Sequence, residues 1–413
     1  MSAVRAVAYV APYFLPATVR FLRAVVEQPG VRVGLISADP VGMLPADLRS
    51  KLAAHHLTPK GKALDPSAIA AGVRAMAPRL GGKPALLLGT LEQLQVPLAQ
   101  VREALGIAGM GSRAATNFRD KSQMKDVLRA AGLPCARHRS VSSIDEGLAF
   151  GETVGYLAVV KPPDGAGGKA TYRVRSRDEM RAALQRLGPR TGNLVQCEEF
   201  VQGEERTLEV ISLAGRPVWW SACRYMPTPL AVIENPWIQW TITLPREEDD
   251  PSDPAVRKLG FQALQALGMQ TGLSHMEWFR RADGSVAISE IGARPPGAQI
   301  VSLISYAHDF DLFKAWGQAV VFDTFAPRPR KYATGAGFLR GQGPGDRVTD
   351  IIGLDAAQQK MGSWVVETKL PRIGQRRSSS YEGEGYVLIR HPETAVVDQA
   401  LAQLITSVQV RCA

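Results

Sequence analysis

Glu277 and Glu290 are the first residues in this chain whose type and spacing suggest chemistry. They lie in two runs, His275-Met-Glu-Trp-Phe-Arg-Arg and Ser285-Val-Ala-Ile-Ser-Glu290, that flank Asp283-Gly284. Asp-Gly between such runs is a two-residue hairpin signal, because both central turn positions need positive φ. Counting outward pairs Ala282 with Ser285, Phe279 with Ile288, and Glu277 with Glu290. Like charges directly opposed destabilise a ladder. A hard divalent cation between them turns the repulsion into a binding site, since such ions take carboxylate oxygens. The competing arrangement leaves one glutamate in solvent or slips the register.

Cationic and glycine-rich stretches precede this pair. Asn117-Phe-Arg-Asp-Lys121 opens a helix that Asn117 or Asp120 could cap and Gly132-Leu-Pro134 ends. Lysines favour the other end of a helix, so Lys121 is either solvated or aimed at a phosphate. A β run from Tyr156 leads to Lys161 and then to Pro-Pro-Asp-Gly165-Ala-Gly167-Gly168-Lys169. Glycines let backbone N–H groups close on phosphate oxygens. This is not a P-loop: Ala170 stands where Ser or Thr should follow Gly-Lys, and a strand rather than a helix comes next. Such a loop can equally be a hairpin tip. Further on stand Glu198-Glu199-Phe200-Val201-Gln-Gly203-Glu-Glu205 and Glu290-Ile-Gly292-Ala-Arg294.

The elements that must position these residues follow from hydrophobic patterning. Residues 1 to about 112 alternate strand and helix: Val4–Ala11, Val31–Ile36 and Ala85–Leu88 as strands, Ala17–Gln28 and Glu92–Leu105 as helices. That alternation implies a parallel α/β sheet, a Rossmann-like platform. Its first turn, Ala11-Pro-Tyr-Phe-Leu-Pro-Ala17, lacks the glycines of a dinucleotide site. Helices follow at 177–187 and 255–268. In the strand after Gly203, Arg206, Leu208 and Val210 share one face; Thr207, Glu209 and Ile211 share the other. Met226 to Thr243 reads as a long functional loop. Gly335-Ala-Gly-Phe-Leu-Arg-Gly341 exceeds a dinucleotide fingerprint by one residue and reads as strand packing.

Composition excludes several classes. A chain of 413 residues with 45% hydrophobic and 21% charged residues buries a core and is not disordered. No stretch approaches the ~20 apolar residues that span a bilayer. Four scattered cysteines without a C-x-x-C pair suggest a reduced, cytoplasmic protein without structural zinc. A net charge of +10 favours anionic ligands. No dense Lys/Arg run with interleaved aromatics argues for nucleic acid.

Taken in this order, the Lys121 helix, Lys161 with its glycine loop, Glu198 to Glu205, His275-x-Glu277 and Glu290-x-x-x-Arg294 resemble the ATP-grasp superfamily over about residues 112 to 325. More narrowly they are similar to carboxylate–amine ligases, including L-amino acid ligases, and to biotin carboxylase-like enzymes. The resemblance implies an α/β fold of α+β ATP-grasp type. It would have a Rossmann-like parallel sheet (1–112), a two-lobed ATP-grasp unit with antiparallel sheets (113–325, lid about 150–212) and a small α+β C-terminal domain (326–413). It implies that Lys121 and Lys161 contact ATP phosphates and that Gly165, Gly167 and Gly168 cover them. Glu198, Glu199, Phe200 and Val201 would form the adenine hinge, and Glu205 would take the ribose. Glu277 and Glu290 would hold Mg²⁺, with Mn²⁺ as a substitute, and Arg294 would meet the acceptor carboxylate or acyl phosphate. The family often has Asn where this chain has Gly292, which puts a third metal ligand in doubt.

The implied activity is an ADP-forming ligase that activates a carboxylate as an acyl phosphate and joins it to an amine. Lys161 and Arg294 are its catalytic candidates. Its partners would be small molecules, with no nucleic acid or membrane; a homodimer is left open. The alternatives are carboxylation through carboxyphosphate and a nucleotide-binding homologue without turnover. Arg224, Trp240, His275 and Arg340 are candidates to line the acceptor pocket, or else play ordinary packing roles. Arg224, His275 and Arg294 are the substrate candidates, with Arg224 favoured because its strand enters the long loop.

Overall fold

The computed structural model describes residues 4–163, 170–247 and 253–413. Its N-terminal part is a four-stranded parallel sheet in the order Ala54–Leu57, Val31–Ser37, Arg5–Val10, Leu86–Leu88. The helices Pro16–Val26, Pro66–Leu80 and Gln95–Leu105 alternate with these strands. Asp65 caps the second of them by accepting from the Ser67 and Ala68 amides, and Gly81 ends it at φ +85°. The parallel platform is as expected. The strand Ala54-His-His-Leu57 and the helix after it escaped the sequence reading. The strand is a short edge element without an apolar run, and Pro78 lies inside the helix.

Helix Pro16–Val26 ties this platform to the rest. Phe21 meets Phe313 and Trp316 of helix Leu312–Phe322, each pair with ring centroids 4.8 Å apart. Burying an aromatic of this size contributes roughly 2–3 kcal/mol. The helices come this close because Gly317 has no side chain: a Cβ there would lie 2.6 Å from the Ala24 carbonyl oxygen.

Two antiparallel sheets follow. The smaller runs His138–Val141, Val195–Glu199, Ala158–Lys161, Tyr172–Val174. Helices Ile144–Val154 and Arg177–Leu187 cover it, capped by Ser143 and Ser176. The larger sheet runs Val286–Gly292, Gly272–Arg280, Glu204–Leu213, Arg224–Met226, Trp240–Leu244, Ala333–Leu339, Gly385–His391, Val365–Lys369, with Arg216–Ser221 added against Glu204–Leu213. It therefore continues without a break past residue 326. Gly335 and Gly337 do serve strand packing: side chains there would strike Leu401 and Leu404 of helix Thr394–Ser407. A small sheet of Gly341–Gln342, Gln409–Cys412 and Val348–Ile352 completes the fold. Among the described residues no helix is long and apolar enough to cross a membrane.

The hairpin departs from expectation in an instructive way. Glu277 does pair with Glu290, but Phe279 pairs with Ala287 and Trp278 with Ile288. The turn is not a two-residue one. Arg281 N–H bonds Ser285 O and Gly284 N–H bonds Arg281 O, so three residues, Ala282 to Gly284, make the loop. Gly284 takes φ +80°, the left-handed conformation such loops require. The extra loop residue shifts the ladder by one. The ladder shifts back through a bulge at Ser289, between the Ile288 and Glu290 pairings. Two deviations cancel, and the carboxylates face each other.

Candidate active site

Three strands make the floor. Alternation along Gly272–Arg280 puts His275, Glu277 and Phe279 on one face. Their direct partners on Glu204–Leu213 are Glu209, Thr207 and Glu205. Glu290 joins from the other side. Glu205, His275, Glu277, Phe279 and Glu290 line one cavity of ≈ 380 Å³.

Helix Lys121–Ala130, capped by Asp120, carries two lysines one turn apart into this floor. Lys121 Nζ lies 2.9 Å from Glu290 Oε1. Lys125 Nζ, fully buried, donates to the Ser289 carbonyl at 2.6 Å and lies 3.1 Å from Glu198 Oε1. The bulge thus exposes a carbonyl that the lysine uses. From the smaller sheet, Lys161 Nζ reaches Glu198 Oε2 at 2.9 Å, and Gln196 donates to the same oxygen. Burial pushes the Glu198 carboxyl up, but the Lys125 and Lys161 charges outweigh it and hold it below the usual range. Burial wins at Lys125, whose ammonium is pulled down. At Lys161 burial is outweighed by the Glu198 and Glu290 charges, and the ammonium is held up.

The carboxylates of the floor titrate apart. For Glu290, burial is overcome by the Lys121 and Lys161 charges, leaving its carboxyl at about 2. Glu205 goes the other way: burial and then the Glu277 charge push it well above the usual range. His275 Nδ1 lies 2.8 Å from Glu209 Oε1, and its Nε2 lies 3.6 Å from Glu277 Oε1. Burial would depress the ring, but the hydrogen bond to Glu209 and the nearby Glu277 carboxylate raise it to about 9. Both ring nitrogens thus face carboxylates, which favours the protonated form of the ring. Among the described residues no cluster of three or more metal-ligating side chains occurs. What the site offers is two facing carboxylates. These fit Mg²⁺, which is commonly held by one or two carboxylates while keeping several waters.

A sequence profile of the ATP-grasp domain matches residues 126–310. This chain carries an ATP-grasp domain. Its sequence is 25% identical over 234 residues to an L-arginine-specific L-amino acid ligase of Bacillus subtilis, covering 55% of this chain and 56% of that protein. It is 32% identical over 130 residues to a D-alanine–D-alanine ligase of Acidiphilium cryptum, covering 32% of this chain and 39% of the relative. The chain thus spans about half or less of the length of these curated relatives. The crystal structure of an L-amino acid ligase from Bacillus licheniformis shares the fold across 100% of both chains, with a TM-score of 0.79 at 20% identity.

The fold brings most of the expected residues together. Lys121, Lys161, Glu198, Glu199, Phe200, Val201, Glu205, His275, Glu277, Glu290 and Arg294 all line the cavity. Gly165, Gly167 and Gly168 lie outside the described residues. Glu199 turns its side chain to Arg137, accepting from its amide at 2.9 Å and its Nε at 2.5 Å. Arg294 pairs with Glu92. Gly292 leaves room beside that pair: a Cβ there would lie 3.4 Å from Glu92 Oε2.

Two acceptor-pocket candidates are placed elsewhere. Arg224 is half exposed and turns to Asp398, 3.6 Å away, because its strand position shares the face of its partner Arg206 and not that of Tyr225. Arg340 is buried, and its Nη1 donates to the carbonyls of Val232, Asn235 and Ile238, so it holds a loop instead of lining the cavity. Trp240 and His275 do line it. Sequence reading missed Lys125, Glu92 and Tyr381. The four-residue step from Lys121 could have flagged Lys125; nothing local marks Glu92.

Proposed function

We propose that this chain is an ADP-forming ligase that activates a small-molecule carboxylate with ATP and joins it to an amine, an amino acid being one partner. One observation carries the reading: the Glu277–Glu290 pair is held in register, with Lys121, Lys161 and Arg294 around the same cavity. In the first step a carboxylate oxygen attacks the γ-phosphorus and the bond to the bridging oxygen of ADP breaks. In the second an amine attacks the acyl carbon, the bond to phosphate breaks, and the nitrogen loses a proton. Such chemistry asks for positioning and charge neutralisation.

Mg²⁺ held by Glu277 and Glu290 would supply neutralising charge on phosphate oxygens. Lys121 and Lys161 are assigned to the phosphates, Glu198 to Val201 to the adenine hinge, Glu205 to the ribose and Arg294 to the acyl group. Glycines 165, 167 and 168 are assigned to cover the phosphates. The units 1–112, 113–325 and 326–413 all contribute: the central one carries the chemistry, the first lends Glu92 and the last Tyr381. ADP release measured over pairs of amino acids, with bicarbonate tested alongside, decides the reading. Release that depends on an amino-acid pair supports it; release that needs bicarbonate, or none under any condition, overturns it.

A further inference from the structure

One end of the cavity is aromatic. Tyr225 OH donates to Glu277 Oε1 at 3.4 Å. From Tyr225 the floor steps across the sheet to Trp240, ring centroids 6.0 Å apart, and on to Tyr381, a further 5.8 Å. Trp240 Nε1 donates to the Tyr381 carbonyl at 2.8 Å, which fixes the indole. Tyr381 reaches this place because position 297 is glycine: a Cβ there would lie 2.9 Å from its hydroxyl. Helix Pro229–Glu234 contributes Leu230 and Ile233 to the lining of the same cavity. Arg340 anchors that helix through the Val232 carbonyl at 2.8 Å.

The charges nearest this end are already engaged: Glu382, beside Tyr381, accepts from the Ala298 amide and from Gln299 Nε2. Arg294 is paired with Glu92, and His275 with Glu209 and Glu277. Glu234, at the end of the helix, is paired with Arg173. A charged substrate side chain placed here would lose water and gain no counter-ion. An apolar one would gain aromatic and aliphatic surface.

We propose that this end of the cavity selects an amino-acid substrate with a bulky apolar side chain, through Tyr225, Trp240, Tyr381, Leu230 and Ile233. The inference rests on the ligase reading above and adds the substrate class. It separates this chain from a site built for a cationic side chain, which would need a free carboxylate at the same place.

The test uses the full chain with ATP and Mg²⁺, in pairs that present phenylalanine, leucine or methionine against arginine, lysine or glutamate. Apolar amino acids should exceed charged ones by at least roughly 10-fold in kcat/KM, since one methylene in an apolar pocket is worth about 10–200-fold. Ile233→Asp should erase most of that preference, and far-ultraviolet circular dichroism checks that the variant is folded. Calorimetric binding of phenylalanine and of arginine, with Mg²⁺ and a non-hydrolysable ATP analogue, gives a readout that needs no turnover. Tighter phenylalanine binding supports the pocket. Equal or better turnover and binding of charged amino acids overturns the substrate class and leaves the ligase standing. Phenylalanine binding without turnover of any pair would overturn the ligase reading and keep the pocket.

Discussion

Arg294 donates from Nε to Glu92 Oε2 at 2.5 Å, a contact between residues 202 positions apart. Glu92 belongs to the N-terminal parallel platform, and Arg294 follows the strand that carries Glu290. Burial would depress the guanidinium, but Glu92 outweighs it and holds its proton firmly. The platform thus orients a cation that lines the cavity just past the strand carrying Glu290. Glu92→Ala should leave the fold and the KM for ATP nearly unchanged while kcat falls roughly 10- to 100-fold, the usual scale for a reacting group misplaced by an ångström. Glu92→Asp should recover part of the loss. Steady-state ADP release decides; a change in the KM for ATP alone would show that Glu92 serves the nucleotide instead.

Glu290→Gln keeps the side-chain volume and removes one of the two facing charges. Lys121, 2.9 Å away, loses its counter-ion at the same time. Magnesium-dependent turnover should fall by more than the roughly 100-fold seen when only a supporting group around a metal is changed. Raising the magnesium concentration should restore part of it. Turnover that is unaffected across a magnesium titration would remove Glu290 from the metal site.

How much of this was legible beforehand differs between residues. The Glu277–Glu290 pairing could be read from one dipeptide turn, yet the count worked because the three-residue loop and the Ser289 bulge offset each other. Lys121 and Lys161 carried signals of position, one at a helix start and one at a strand end. Lys125 had the same helical face and went unread because a buried lysine is rare on base composition. Glu92 and Tyr381 each enter the site from a different part of the chain, and only the tertiary fold brings them in. Arg224 failed for a reason of parity, since one step along its strand turns a side chain to the other face.

Arg224→Ala is accordingly expected to be silent in catalysis. Its guanidinium is half exposed and its partner Asp398 is equally so, a pair of the kind that contributes little. Both substrate KM values should match those of the unaltered chain. A selective rise in one of them would return Arg224 to the acceptor pocket.

Glu198 sits between two buried ammonium groups and accepts from both. Glu198→Gln removes the carboxylate that Lys125 and Lys161 share, though Lys161 keeps the Glu290 charge and Lys125 the Ser289 carbonyl. Breaking a buried ionic cluster in this way costs about 3–5 kcal/mol. Urea unfolding at neutral pH measures it, and a second change, Lys125→Met, should return part of the loss by removing one stranded charge. A loss below about 1 kcal/mol would mean that water reaches the cluster.

Glu205 gives the pH dependence a sign. Its folded carboxyl titrates well above the ordinary range, so between the unfolded value and the folded one the native state holds a proton that the unfolded chain has lost. Stability contributed by that proton is present below about pH 4.3 and drains away as pH rises toward the folded value. Glu205→Gln carries the neutral shape at every pH. Without ligands, its melting temperature should therefore gain on that of the unaltered chain between pH 5 and pH 8. His275 also loses stabilising charge as pH rises toward about 9, but it does so in both proteins and drops out of the difference. A gap in melting temperature that stays constant from pH 5 to pH 8 would show that Glu205 is already ionised in the empty site.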